Sequence, residues 1–64
     1  MPENFKLATL YKRLAEEQKR LIDLAAAQDT VPPAGMLRHI ADLESAITAV
    51  STLIEEYQVG KSQG

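Results

Sequence analysis

This chain has no cysteine and no tryptophan, and a single histidine, His39. Without cysteine there is no disulfide and no thiolate metal site, and one histidine is too few for a histidine-based structural centre. No run of about 18 apolar residues is present, so no segment is expected to span a membrane. The opening "MPENFKLATLYKRL" lacks the long apolar core of a secretory signal, so a cytoplasmic location is expected. A net charge of −2 gives no overall basic signal for nucleic acid. Aromatic rings are few: Phe5, Tyr11 and Tyr57.

The residues that carry chemistry are equally sparse. There is no glycine-rich phosphate loop, and no serine stands in a motif with a base. A bundle di-iron centre needs Glu-x-x-His on one helix, but Met36 occupies the place three residues before His39. His39 and Asp42 are i, i+3 neighbours, and two such groups on one helical turn do not define a metal site. Neither catalysis nor any cofactor or metal is expected.

What is present is helical. Residues 3–31 and 36–59 contain neither glycine nor proline; Pro32, Pro33 and Gly35 cluster between them, and Gly60 and Gly64 follow. Proline interrupts a helix and pushes the residue before it out of helical geometry, so Val31 and Pro32 should be non-helical. Pro33 suits the first turn of a second helix, with Asp29 or Thr30 as a cap. Helix 1 is therefore expected over about 4–28, a turn over 29–32, helix 2 over about 33–59, and a mobile tail over 60–64 that starts at the Gly60 stop. The 1–64 span reads as one helical-hairpin domain.

The apolar spacing fits. Met36, Ile40, Leu43, Ile47, Val50, Ile54 and Tyr57 recur at alternating steps of 4 and 3, the signature of an apolar seam. Leu7, Leu10, Leu14, Leu21 and Leu24 follow the same rule in helix 1, with Glu17 in the slot between Leu14 and Leu21. Continuing the helix 1 heptads through the prolines lands on Gly35 and Arg38, whereas the second seam uses Met36 and Ile40. The phase slips, which indicates a turn and an antiparallel hairpin rather than a kinked rod. Glu17 has two readings: a locally wet seam where it meets a basic residue, or a polar layer that fixes register or partner choice.

A chain of 64 residues is marginal alone, and its broad apolar stripes would stay half uncovered. The expected architecture is all-α: an antiparallel two-helix hairpin that dimerises into a four-helix bundle, with the twelve seam residues at the oligomer interface. A heteromeric coiled-coil partner is the alternative.

Charge is uneven. Lys6, Arg13 and Arg20 recur every seven residues, and Lys12 and Lys19 recur beside them; only Arg38 and Lys61 are basic elsewhere. These five are expected to form a ladder along helix 1. Helix 2 carries Asp42, Glu44, Glu55 and Glu56. The plainer readings are a solvated face with Glu16 pairing to Arg20 and Lys19, or charge matching between helices. The sharper one is a stripe that contacts RNA phosphates.

Length, short turn and broad seams resemble the Rop-type proteins. That resemblance implies a homodimeric four-helix bundle and, by the founding member, RNA stem-loop binding through one helix face. "DLAAAQDTVPP" (Asp23 to Pro33) is similar to the "DLA…P" turn of Rop-like hairpins found with nitrogen-fixation genes. "LIEEY" (Leu53 to Tyr57) resembles the end of small helical-hairpin phosphatases of sporulation regulators, whose Ser-x-x-Leu-Asp motif has no counterpart at Ile47, Val50 and Ser51. The leading expectation is a non-catalytic interaction or regulatory protein. An RNA-binding regulator comes second, and a phosphatase or adaptor of a signalling protein third.

Overall fold

A computed structural model describes the backbone of residues 2–63 and the side chains of residues 5–58. Two helices, α1 (Pro2–Ala26) and α2 (Ala34–Gln63), form an all-α hairpin of 51 × 15 × 13 Å. Each helix lacks proline beyond its first residue, and each has an apolar stripe to lay against the other. They pack side by side along one seam and run in opposite directions.

The boundaries differ from the expected ones at both ends of each helix, α1 starting at Pro2 rather than about residue 4. α1 stops at Ala26, not near residue 28, because its last turn tightens. The Ala27 amide donates to both Asp23 O (3.1 Å) and Leu24 O (3.3 Å), and Gln28 N donates to Ala25 O at 3.2 Å. This is the 3₁₀-type contraction that satisfies terminal carbonyls. Val31, Pro32 and Pro33 are non-helical. Pro33 stands one place outside α2 rather than in its first turn: its carbonyl accepts from Met36 N at 3.0 Å and Leu37 N at 3.1 Å. Among the described residues neither Asp29 nor Thr30 bonds to the start of α2 through its side chain.

At the far end α2 runs through Gly60 to Gln63, so the expected stop at Gly60 is not made. No described glycine has positive φ, the geometry a left-handed helix cap needs. A glycine held inside a helix costs only about 1 kcal/mol relative to alanine, so Gly60 alone does not end one. Gly64 lies outside the described residues.

Burial is thin. Among the described residues only Leu21 (7% exposed) and Leu43 (8%) are buried, and no side chain is fully enclosed. Met36, Ile40, Ile47, Val50 and Ile54 are half-buried, as are Leu7 and Leu14. Leu10, Leu24 and Tyr57, expected in the seam, stand 43%, 45% and 42% exposed. In α1 the residues turned to α2 include Gln18 and Ala25, both half-buried, where the heptad count had placed Glu17 and Leu24.

Candidate functional site

Helix geometry sorts the side chains around the seam. Successive residues point about 100° apart, so positions seven apart share a flank and positions one apart do not. On one flank of the hairpin Leu10, Glu17 and Leu24 follow α1, and His39, Ala46 and Leu53 follow α2. On the other flank Tyr11, Gln18 and Ala25 lie beside Leu37, Glu44 and Ser51.

The first flank holds a shallow groove of about 370 Å³ lined by Lys6, Leu7, Leu10, Leu53 and Tyr57. It sits at the open end, away from the turn. Its walls are leucine and tyrosine carbon, with the Lys6 stem along one edge. Closer to the turn the same flank becomes polar. Arg20 clasps Glu17 through two hydrogen bonds, Nε to Oε1 at 3.0 Å and Nη2 to Oε2 at 2.7 Å. The Arg20 hydrogen bond, with smaller help from the Arg20 charge and His39, holds the Glu17 carboxyl below its usual value despite some desolvation. Arg20 is raised in return. Glu17 therefore meets a basic residue of its own helix, the plainer of its two readings.

The second flank is bridged by Gln18. Its amide Nε2 donates to Glu44 Oε1 at 2.9 Å and to the Ile40 carbonyl at 3.4 Å. These are the only side-chain hydrogen bonds between the helices among the described residues. Apolar seams repeat every seven residues and alone would tolerate a slip of two turns. Such a slip would bring Tyr11 or Ala25 to the place of Gln18, and neither carries an amide. The polar side chain that joins the two helices is therefore Gln18 and not its neighbour Glu17. A polar residue within hydrogen-bonding reach of a facing helix was the only available sequence signal, and the heptad count put Gln18 beside the seam rather than in it.

The five basic residues do not make a single ladder. Lys6, Arg13 and Arg20 run along the groove flank, while Lys12 and Lys19 form a second file about 100° further round the exposed side of α1. Lys19 Nζ pairs with Asp23 Oδ2 at 2.9 Å, which raises the Lys19 pKa. Glu16, expected to pair with Lys19 and Arg20, pairs with neither; Asp23 and Glu17 take those places. Lys6, Lys12 and Arg13 have no ion pair among the described residues. The described residues also contain no group of three or more His, Asp or Glu side chains able to hold a metal.

Among the described residues no helix is long and apolar enough to cross a membrane. No family model, curated protein or solved structure matches the chain. Its surfaces and their chemistry are what bear on function.

Proposed function

We propose that this chain is a non-catalytic interaction protein that works as a homodimer, two hairpins closing into a four-helix bundle whose outer faces are free for a regulatory partner. The supporting observation is the imbalance of burial. Among the described residues nine large hydrophobic side chains are 39% to 81% exposed, while only two residues are buried. The radius of gyration is 15.0 Å, against about 11 Å for a compact chain of this length. The hairpin exposes 4966 Å², where a folded monomer of its mass exposes about 4,000 Å². The excess, about 900 Å², is close to the roughly 800 Å² each partner contributes to a stable interface.

The Rop-type resemblance agrees with this architecture. Its RNA-binding function draws less support, because the basic residues divide into two files and two of the five are neutralised by carboxylates of their own helix. Sedimentation across a concentration series tests the dimer: a two-chain species at micromolar concentration is expected. A helical monomer that stays folded at low micromolar concentration overturns the reading.

A further inference from the structure

Building on the dimer reading above, we infer its geometry: the second copy covers the groove flank and lies with its turn at the same end, so that α1 of each chain rests on α2 of the other.

The choice of flank follows from what each side exposes. The groove flank carries Leu10, Leu24, Leu53 and Tyr57, each at least 40% exposed, around a formed depression. The opposite flank also exposes Tyr11 (39%) and Leu37 (46%), but it is crossed by the Gln18 amide and the Glu44 carboxylate. A second copy there would have to desolvate that carboxylate, which is costly without a compensating charge.

The relative direction follows from how the groove flank changes along its length. Its open-end part is apolar, with Leu10, Leu53 and Tyr57. Nearer the turn comes a polar stretch, with Glu17, Arg20 and His39, before Leu24 closes the flank beside the turn. A two-fold axis parallel to the helices stacks apolar on apolar and polar on polar. An axis across the helices, with turns at opposite ends, would press the leucines of one copy onto Arg20 and His39 of the other.

The margins point the same way. Lys6, Arg13 and Arg20 edge α1 on this flank, and Asp42, Ala49 and Glu56 edge α2 at the same seven-residue spacing. With α1 over α2, Arg20 comes to the level of Asp42 in the other chain and Lys6 to the level of Glu56. With α1 over α1, the basic margins would face each other. Opposite charges at such margins choose partner orientation more than they add affinity.

The absence of native cysteine makes the test clean. Arg13→Cys and Ala49→Cys are exposed substitutions on the two margins at nearly the same level. The two variants are unfolded together, refolded as a mixture and treated with a short bis-maleimide, while sedimentation of the same sample reports the oligomer. The expected result is a dimer whose main crosslinked product joins an Arg13→Cys chain to an Ala49→Cys chain, with only background crosslinking of either variant alone. A dimer in which Arg13→Cys crosslinks to itself places the turns at opposite ends and overturns the geometry while leaving the dimer. A dimer with neither product moves the interface to the Gln18 flank and overturns it as well. A monomer overturns both the geometry and the dimer reading.

Discussion

The two halves of the hairpin are built from similar residues and finished to different degrees. The half nearer the turn holds both buried side chains, Leu21 and Leu43, and the Gln18 bridge to Ile40 and Glu44. The open half has the same heptad spacing, yet it ends in a groove with Leu10, Leu53 and Tyr57 40% or more exposed. The difference shows that a seam of large residues is not by itself a core. A core also needs neighbours on every side, and a two-helix layer supplies them only where the chain doubles back closely. On our reading the chain itself closes only the Leu21–Leu43 layer, since Ile22, Leu24 and Leu37 in the same half stay about 45% exposed, and a second copy covers the groove flank.

Four substitutions or conditions probe that contrast. The largest effect is expected from Leu43→Ala in the closed half, which should cost about 3 kcal/mol in urea unfolding, the usual scale for a buried leucine. A loss below about 1 kcal/mol would mean that the turn half is no better packed than the rest. Leu53→Ala in the open half should act chiefly on association. It is expected to raise the dimer dissociation constant about tenfold, equivalent to about 1.4 kcal/mol, with helicity kept at high protein concentration. An unchanged sedimentation profile would remove Leu53 from the interface.

Gly35→Ala tests the joint between the two helices and should stabilise by about 0.5 kcal/mol. The added Cβ has nothing within 4 Å, and the backbone there is helical without positive φ. A lower melting temperature would show that the first turn of α2 is packed more closely than it appears in the hairpin.

The smallest effect is electrostatic. Glu17 is held below its ordinary pKa, so its contribution is present above the ordinary carboxylate range and is lost as pH falls through the lowered value. Lys19 is shifted upward, and its contribution disappears only as pH rises past the ordinary lysine range. Melting curves between about pH 7 and pH 3 should therefore decline slightly less for Glu17→Gln than for the parent chain. Identical slopes would show that the Arg20 clasp contributes nothing measurable.

Much of this was legible in the sequence, for identifiable reasons. The prolines and the phase slip between Leu24 and Met36 marked the turn, because proline geometry is local and strict. The alternating spacing from Met36 to Ile54 marked the inner face of α2, because burial imposes the helix period directly. The inner face of α1 was harder to read. Leu10 and Leu24 looked like seam, but the helix turns slightly less than one heptad step at a time, and the contact is shared with Gln18 and Ala25. Which hydrophobic residues a chain buries within itself and which it leaves for another surface is not encoded in their spacing. The basic ladder failed for a simpler reason: Lys12 and Arg13 are adjacent in sequence, and adjacency on a helix means different directions. The run of α2 beyond Gly60 reflects how weak a lone glycine is as a terminator.

A chain that turns back once brings its beginning and its end to the same pole. Here α1 starts and α2 ends at the groove end of a rod 51 Å long, the pole opposite the exposed Val31 at the turn. The consequence is practical. Any label or tag joined at either end of the hairpin is delivered to the pole that carries the groove, roughly 12–15 Å of helix beyond Leu10 and Leu53. The turn at the opposite pole, with Val31 in solvent, is the place where extra sequence can be spliced in with the least interference.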